Sequence, residues 1–303
     1  MRVLVSGGSG LVGRYVVNGL QEAGWDVAVG GRSKPPAGWF SQAARFVPLF
    51  LDPTLDQSDA FRGIDAFVHA AFDHLPGRYR GGEGNDPDGF RRRNLEGSVR
   101  LFETARKAGV RCVVFLSSRA VYDGLRKGDA LDEDALLSPV SLYGQVKLAA
   151  ERALAELDAP GFTTASLRLT GVYGDLRPNK WDTLIADYLA GRPVVSRAGS
   201  EVHGGDVAQA VRLVLEADEG HIRAGRAYNV SDIVTDTHAI LAEVKRMTGA
   251  PHPLPAEADT AQVAAMPTGR IRALGWQPGG LPLLAATVVK LAESHVPADL
   301  PGS

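Results

Sequence analysis

The sequence predicts an α/β fold, a doubly wound parallel sheet with helices on both faces. Short apolar runs alternate with segments of helical length through the first half of the chain, and several runs are apolar on both faces, as in strands that helices cover on both sides. The predicted strands are Val3–Ser6, Val27–Val29, Phe46–Leu51, Ala66–His69, Val113–Leu116 and Thr164–Leu169. The predicted helices between them are Leu11–Ala23, about Phe90–Ala108 and Ser141–Leu157. This alternation predicts right-handed crossovers between parallel strands.

A smaller C-terminal lobe is predicted after Leu169, where the alternation breaks. We expect one domain at 1–170 and a second lobe at 171–303 that is partly interleaved with the first. Five prolines between 251 and 278 predict short helices near the C-terminus, and the glycine-rich Pro76–Gly89 predicts a mobile loop. The remaining expectations are a turn at Gly171–Pro178, strands at Val194–Ser196 and Tyr228–Val230, and helices at Trp181–Ala190, Asp206–Glu216 and Thr237–Thr248.

Composition and charge indicate a globular protein and give no reason to expect a nucleic-acid or membrane partner. The 303 residues are 45% hydrophobic and 22% charged, with a formal net charge of −2, which gives no support for nucleic-acid or membrane-surface binding. Cys112 is the one cysteine, so an internal disulfide is excluded, and its apolar run favours a buried residue over a catalytic thiol. No apolar run approaches about 18 residues, and we expect a cytoplasmic protein without a membrane span. No His, Cys or Asp grouping has metal-ligand spacing.

A glycine-rich turn joins the first predicted strand to the first helix. It reads Ser6-Gly7-Gly8-Ser9-Gly10-Leu11-Val12-Gly13. Glycines in such a turn allow a tight bend and close approach of the backbone to a pyrophosphate, while the helix N-terminus offers unpaired N–H groups. We therefore predict a Rossmann-type dinucleotide site that includes Gly7, Gly10, Leu11, Val12 and Gly13. A tight turn that binds nothing is the alternative.

The end of the second strand indicates which dinucleotide binds. Sites for NAD usually carry an acidic side chain there, which accepts hydrogen bonds from the adenosine ribose. This sequence instead reads Gly30-Gly31-Arg32-Ser33-Lys34, in which Arg32 can grip a 2′-phosphate and Ser33 can donate a further hydrogen bond. NADP is therefore the preferred cofactor, with NAD as the second choice. Solvated loop charges are the alternative for Arg32 and Lys34.

Tyr143 and Lys147 form a candidate proton-transfer pair. They are four residues apart, which places both side chains on one face of a helix. A free tyrosine has a pKa of about 10, too high for an efficient base at neutral pH, and a neighbouring ammonium lowers that pKa because it stabilises the phenolate. A surface pair without function is the alternative, since this spacing is common by chance.

Further motifs are spread over almost the whole chain. Besides the glycine turn and the Tyr143/Lys147 pair, they are Asp52, His69-Ala70-Ala71, Asn94, Ser118-Arg119-Ala120-Val121-Tyr122, Leu167-Arg168-Leu169, Tyr173-Gly174, His203 with Asp206, and Leu274-Gly275-Trp276. With these motifs the chain resembles the extended branch of the short-chain dehydrogenase/reductase superfamily, the NAD-dependent epimerase/dehydratase-like family. The motifs are highly specific for the superfamily and only weakly specific for a substrate.

The resemblance implies a role for each matching residue. Tyr143 would be the general acid/base on the substrate hydroxyl, Lys147 would hold the nicotinamide ribose and tune Tyr143, and Ser118, preferred to Ser117, would hydrogen-bond the reacting oxygen. The other implied cofactor contacts are Asp52 and Pro53 at the adenine, Ala70 and Ala71 along the cofactor, and the turn from Leu169 to Val172 at the nicotinamide. The resemblance also implies a homodimer formed by the helices around Phe90–Ala108 and Ser141–Leu157.

Four positions depart from the pattern of particular family members. Nucleotide-sugar epimerases of this branch usually have an Asn and an Arg where this chain has Gly171 and Gly199, and both of those side chains help to hold the nucleoside diphosphate. Sugar-nucleotide dehydratases follow the active-site hydroxyl with acidic residues, whereas Ser118 is followed by Arg119 and Ala120. These departures weigh against dehydration and against a nucleotide-sugar substrate. The alternative for the second conclusion is that Arg197, close to Gly199 in the sequence, replaces the missing Arg.

The sequence therefore predicts an NADP-preferring oxidoreductase of the extended short-chain type that moves a hydride to or from a hydroxyl-bearing carbon. Its expected substrate is a small hydroxy or carbonyl compound, with sugar derivatives among the candidates. A nucleoside-diphosphate-sugar epimerase with tightly held cofactor is the second hypothesis, and a non-catalytic NADP-dependent regulator is the third. Three roles stay open: Asn94 is structural or a relay, His203 is a pocket residue or a structural histidine at the lobe junction, and Arg119 binds an anionic substrate or is a solvated charge.

Overall fold

The computed structural model describes residues 1–75 and 82–295. Within these ranges the strands are β1 (Arg2–Ser6), β2 (Asp26–Gly31), β3 (Arg45–Pro48), β4 (Ala66–His69), β5 (Cys112–Ser118), β6 (Thr163–Leu169), β7 (Gly171–Tyr173), β8 (Ala198–His203), β9 (Ala227–Val230) and β10 (Ile233–Asp236). The helices are α1 (Leu11–Glu22), α2 (Pro87–Arg91), α3 (Gly97–Lys107), α4 (Leu142–Glu156), α5 (Asp182–Leu189), α6 (Gly204–Glu216), α7 (Glu219–Gly225), α8 (Thr237–Thr248), α9 (Gly269–Ala273) and α10 (Gly280–Glu293). A π-helical segment at Arg92–Glu96 joins α2 to α3.

Seven of the described strands form a parallel sheet in the order β3-β2-β1-β4-β5-β6-β9. The strand order reverses between β1 and β4. In doubly wound sheets of this kind, ligands bind in the crevice outside the carboxyl ends of the strands at such a reversal. The topology therefore places the candidate site above β1, where the glycine-rich turn lies.

Helices cover both faces of this sheet. Successive side chains of each strand point to opposite faces, so neighbouring residues pack in different apolar clusters. Val5 of β1 packs in the apolar cluster that includes Val211 of α6. Its neighbour Leu4 packs in a second cluster, which includes Leu154 of α4. The prediction of a doubly wound α/β fold is confirmed.

A second, smaller sheet lies in the C-terminal part of the chain, with the order β10-β8-β7. β7 runs parallel to β8, and β10 runs antiparallel to it. Ile185 of α5, Leu241 of α8 and Val288 of α10 are buried in one apolar cluster beside this sheet. Three elements beyond residue 170 return to the first lobe, since α6 packs on α1, α7 packs on β6 and β9 pairs with β6.

The prediction for residues 171–197 is wrong in two places. The segment Val194–Ser196 is not a strand; the strand begins at Ala198 instead. The N–H of Arg197 donates to the side chain of Thr237, and its carbonyl accepts from the N–H of Thr237, so the chain just before β8 is tied to the start of α8. The segment Gly171–Pro178 was predicted to be a turn, but its first three residues form β7, which pairs with β8.

The prediction of short C-terminal helices is also wrong, because α10 spans 14 residues. Its Pro282 lies in the first turn, where a backbone N–H has no intrahelical partner to lose. Of the predicted mobile loop Pro76–Gly89, residues 76–81 lie outside the described residues. The end of that segment, from Pro87, is the first turn of α2.

Candidate active site

The predicted site residues come together at one edge of the parallel sheet. They follow or end successive strands: Gly7, Gly10, Leu11, Val12 and Gly13 after β1, Arg32 and Ser33 after β2, Asp52 and Pro53 after β3, Ala70 and Ala71 after β4, Ser118 at the end of β5, and Leu169 and Val172 around the end of β6. Ser118 and Leu169 are partners in the register of β5 and β6. Tyr143 and Lys147 lie on α4, whose N-terminal turn approaches the same edge.

The glycine-rich turn has the shape of a dinucleotide cradle. Gly7 has a φ of 63°, a left-handed conformation that favours glycine, and a Cβ there would lie 2.7 Å from the backbone of Ala71. A Cβ on Gly13 would clash with the carbonyl oxygen of Gly7. Gly10 precedes α1 without a side-chain cap, so the first N–H groups of the helix are available to a phosphate. These residues fit a bound pyrophosphate.

A buried chain of hydrogen bonds supports the loop after β4. Ser98 Oγ donates to a backbone carbonyl at 2.6 Å, so it accepts from Nε2–H of His69 at 2.8 Å. Nδ1 of His69 then accepts from Ser6 Oγ at 2.7 Å. The Ser6 oxygen accepts in turn from the N–H groups of Ala70 and Ala71, at 3.2 and 3.3 Å. Burial lowers the pKa of His69 to about 3, so this ring is neutral and fixes the loop.

Asn94 is buried and holds the same loop from the other side. Its Oδ1 accepts from the N–H of Asp73 at 2.6 Å, and its Nδ2 donates to the carbonyls of Asp73 and Phe90 at 2.7 and 3.1 Å. These bonds fasten the loop after β4 to the helix that begins at α2. Of the two roles that the sequence left open for Asn94, the contacts support the structural one.

Arg32 lies one residue beyond β2, at the adenosine end of the predicted cofactor site. Its Nη1 is 3.2 Å from Oδ1 of Asp73, and its side chain is 79% exposed. Asp52, beyond β3, accepts from the hydroxyl and the N–H of Thr54 at 2.7 and 2.9 Å. These two bonds lower the pKa of Asp52, so this carboxyl is an anion at neutral pH.

A glycine brings α4 close to Ser118. The Oγ of Ser118 accepts from the N–H of Ala120 at 3.2 Å. α4 begins after Ser141, whose Oγ accepts from the N–H of Gly144 at 3.1 Å, and a Cβ on Gly144 would clash with the carbonyl oxygen of Ala120. This close approach places Tyr143, the neighbour of Gly144, beside the segment that carries Ser118.

Lys147 is buried one helical turn after Tyr143. Its Nζ donates to a backbone carbonyl of β5 at 2.8 Å and lies 4.5 and 4.6 Å from the ring centroids of Phe72 and Phe115, whose faces stabilise an ammonium. Burial lowers the pKa of Lys147 to about 7, against the opposing effect of Glu151. The lysine can therefore change its charge near neutral pH.

Ser117 belongs to a buried polar network and not to the site. Its Oγ donates to Glu151, whose carboxylate pairs with Arg168 at 2.8 Å; the two side chains are 7% and 6% exposed. Arg168 Nη1 donates to the hydroxyl of Tyr122 at 2.8 Å and to the carbonyl of Glu133 at 3.1 Å. The sequence analysis did not predict this network, although Glu151, an acidic residue one turn after Lys147 on a buried helix face, indicates a buried partner. The arrangement supports Ser118 as the hydroxyl that faces the substrate.

Glu201 lies between the two glycines at which the chain departs from nucleotide-sugar epimerases. A Cβ on Gly171 would lie 2.5 Å from Oε2 of Glu201, and a Cβ on Gly199 would lie 3.8 Å from Oε1. Glu201 is buried and forms an ion pair with Lys180. The place that the resemblance assigns to a diphosphate is thus bordered by a buried carboxylate.

Tyr15 of α1 joins the glycine-rich turn to the second lobe. Its hydroxyl donates to Oδ1 of Asp175 at 2.9 Å and accepts from the N–H of Leu176 at 2.8 Å. The ring fits against the backbone of Gly174 and Gly204, because a Cβ on either glycine would clash with it. The two lobes therefore touch within two turns of the predicted cofactor cradle.

His203 and Arg119 both have contacts within the fold. The ring of His203 lies edge-on to Tyr15, with centroids 5.4 Å apart, and its Nδ1 accepts from the N–H of Gly205 at 3.0 Å to cap α6. Arg119 donates to the carbonyl of Ala264 at 3.0 Å. These contacts support a structural histidine at the lobe junction.

Comparison with known proteins decides the family. The NAD dependent epimerase/dehydratase family matches residues 3–231. The chain belongs to this family. It is 26% identical over 318 residues to UDP-glucose 4-epimerase of Corynebacterium glutamicum, a match that covers 92% of this chain and 91% of that protein. It is 30% identical over 188 residues to sterol-4-alpha-carboxylate 3-dehydrogenase, decarboxylating, of Mus musculus, over 60% of this chain and 48% of that one.

A solved structure extends the comparison to the whole fold. MoeE5 in complex with UDP-glucuronic acid and NAD superposes with a TM-score of 0.79 at 25% identity, covering 98% of this chain and 100% of that one. The similarity predicted to the extended short-chain dehydrogenase/reductases is confirmed. This member of the NAD dependent epimerase/dehydratase family is an enzyme of a group of NAD-dependent epimerases and dehydrogenases.

The described residues contain neither a helix suited to cross a membrane nor a group of side chains suited to bind a metal ion. Over 1–75 and 82–295, no helix combines the length and the apolar character that crossing a membrane requires. Nor do three or more His, Cys, Asp or Glu side chains in that part of the chain form a group that could hold a metal ion.

Proposed function

We propose that this family member is an NADP-preferring oxidoreductase that transfers a hydride to or from a hydroxyl-bearing carbon of a small substrate without a nucleoside diphosphate. The observation that carries the proposal is the Glu201 carboxylate beside Gly171 and Gly199. The Glu201 carboxylate already engages Lys180 in an ion pair, so the pair offers no free cation to a diphosphate, and these two glycines supply no side chain to bind one. Hydroxy and carbonyl compounds, sugar derivatives among them, satisfy this restriction.

The proposed chemistry divides between the nicotinamide, which accepts or donates the hydride when bound, and three side chains of this protein. Tyr143 exchanges a proton with the substrate oxygen, and Ser118 hydrogen-bonds that oxygen and holds it in place. Lys147 holds the nicotinamide ribose, and its ammonium favours the phenolate of Tyr143. Thr170, the neighbour of Leu169, is a further candidate site residue, since its buried hydroxyl has no hydrogen-bond partner among the described residues. The protein thus needs to orient one carbon–hydrogen bond and to move one proton.

The second candidate function is epimerisation of a nucleoside-diphosphate sugar, which the names of the relatives favour. Such an enzyme oxidises and re-reduces its substrate, so its cofactor stays bound through the cycle. Cofactor that co-purifies and survives dialysis supports this candidate, whereas freely exchanging cofactor supports the oxidoreductase. The third hypothesis, a non-catalytic regulator, disagrees with membership of a family of enzymes, and the intact Ser118, Tyr143 and Lys147 also weigh against it.

The substrate class is testable by a thermal-shift screen of hydroxy acids, sugars, sugar acids and nucleotide sugars with NADPH present. A ligand at about 100 times its dissociation constant stabilises a protein by roughly 2.7 kcal/mol, which such a screen detects. Stabilisation by compounds without a nucleotide supports the proposal. Stabilisation confined to nucleotide sugars contradicts it.

Free UDP is expected not to bind. The buried Glu201 carboxylate faces the space beside Gly171, and its Lys180 partner is already engaged, so this ion pair offers no uncompensated cation to the diphosphate. Titration calorimetry of the protein with UDP, with and without NADPH, measures this directly. A dissociation constant in the low micromolar range would promote the epimerase to the first candidate.

NADP(H) is expected to bind about ten times more tightly than NAD(H). A charge-assisted hydrogen bond contributes about 1.5–3 kcal/mol, and about 1.4 kcal/mol corresponds to a factor of ten; the exposure of Arg32 favours the lower end of that range. Arg32→Ala should remove most of the preference, as dissociation constants for both cofactors will show. Arg111→Ala is the matched control, because Arg111 is also exposed and paired to an aspartate but precedes β5 at the opposite edge of the sheet. Equal affinities in the wild type would refute the assignment of Arg32.

We also propose that the protein is a cytoplasmic homodimer. In the resemblance on which this rests, the two helical segments around α3 and α4 form a four-helix interface. Here α3 and α4 pack against each other on one face of the parallel sheet, which leaves their outer faces available for a second copy.

A further inference from the structure

We propose that Asp73 is a second determinant of cofactor choice, which competes with the 2′-phosphate of NADP for Arg32. The inference rests on the proposed assignment of Arg32 to that phosphate. Arg32 follows β2 and Asp73 belongs to the loop after β4. Since β2 and β4 lie on either side of β1, the ion pair between them spans the carboxyl edge of the sheet beside the glycine-rich turn.

Asp73 is the fixed partner of this pair. Its backbone N–H and carbonyl are both hydrogen-bonded to the buried Asn94, at 2.6 and 2.7 Å. Its Oδ2 accepts from Nε of Arg93 at 2.7 Å, which leaves Oδ1 for Nη1 of Arg32 at 3.2 Å. The Asp73 side chain is 27% exposed and that of Arg32 is 79% exposed. The carboxylate is therefore held by the fold, whereas the guanidinium can move to another anion.

The competition follows from charge. A 2′-phosphate carries nearly two negative charges and needs the same guanidinium donors that Asp73 engages. NAD carries a neutral hydroxyl at this position, so this competition for the guanidinium does not affect it. Asp73 thus lowers the preference for NADP that Arg32 creates, so that NAD can still serve as a cofactor.

The test is Asp73→Asn, which keeps the shape and the backbone contacts and removes the charge. We expect the ratio of the NAD⁺ to the NADP⁺ dissociation constant to rise about two- to fivefold, the range of an exposed ion pair. In an Arg32→Ala background the same substitution should leave the ratio unchanged. Asp86→Asn is the matched control, since it removes the same charge and also loses a pair with Arg93, at 3.2 Å. Circular dichroism and the melting temperature establish that each variant is folded.

An unchanged ratio in Asp73→Asn overturns the inference, as does an equal rise in Asp86→Asn. A rise that persists without Arg32 also overturns it, because the effect would then not pass through the guanidinium. The wild-type preference is a separate result. A wild type that binds both cofactors equally refutes the proposed NADP preference, whereas an increase in the ratio that requires Arg32 still supports the competition by Asp73.

Discussion

Tyr143→Phe is expected to lower kcat by a factor of about 10²–10⁴, the contribution of a positioned general acid/base, and to leave cofactor affinity nearly unchanged. The substitution removes one oxygen and retains the ring, whose edge-to-face contact with Phe72 has a centroid distance of 5.1 Å. Because Phe72 also lies under Lys147, the lysine should stay in place. Initial rates with the substrate found in the screen, together with cofactor titrations, measure both quantities.

The matched control for this experiment is Tyr188→Phe. Tyr188 is buried in the second lobe, where its hydroxyl donates to the carbonyl of His252 at 3.0 Å, so it reports the general effect of losing a tyrosine hydroxyl. Its kcat should remain at the wild-type level. Should the Tyr143→Phe variant keep half of the wild-type kcat, the acid/base assignment is wrong.

Arg168→Met is expected to lower the free energy of unfolding by about 3–5 kcal/mol, because it leaves the buried Glu151 carboxylate without its counter-ion. The side chains of the pair are 6% and 7% exposed, at a distance of 2.8 Å. Burial alone would lower the pKa of Arg168. The neighbouring Glu151 and Tyr122 raise that pKa above its ordinary value, so the arginine is charged at neutral pH. Urea unfolding, followed by fluorescence, measures the change.

Two further variants serve as a control and as a rescue for Arg168→Met. Arg62→Ala removes an arginine from an exposed ion pair, with side chains 81% and 87% exposed, and should leave the urea midpoint unchanged because such pairs are screened by solvent. Combining Arg168→Met with Glu151→Met should recover much of the lost stability, since an apolar replacement of both partners leaves neither of the two charges without its counter-ion. A single Arg168→Met variant as stable as the wild type would contradict the account.

The fold and the cofactor edge of the site could be predicted from the sequence for one physical reason. Strands covered on both faces read as continuous apolar runs, and the carboxyl ends of neighbouring parallel strands meet at one edge. Residues that follow such runs, such as Gly7, Ala70 and Ser118, must therefore lie close together. The strand at Ala66–His69 agrees with the structure to the residue because both of its faces are buried.

What the sequence did not predict depends on contacts between distant segments. Nothing in the residues around Glu151 or Arg168 specifies that the two side chains meet, because the pairing requires α4 to pack over β6. The strand misplaced at Val194–Ser196 reflects a local apolar run, whereas the position of β8 is set by pairing with β7 and β10. The pairing of Arg32 with Asp73 likewise arises from two loops that are 41 residues apart in the chain.

The position of Tyr15 has a consequence for how the protein folds. Its hydroxyl and its ring are satisfied by residues 174–176 and 204, so a fragment that ended at residue 170 would leave the outer face of α1 uncovered and its tyrosine without partners. We therefore expect that residue 170 is not a boundary between independently folding units. We expect the glycine-rich turn and the second lobe to be lost together in a single cooperative transition, so that the cradle acquires its final shape only when the C-terminal half has docked.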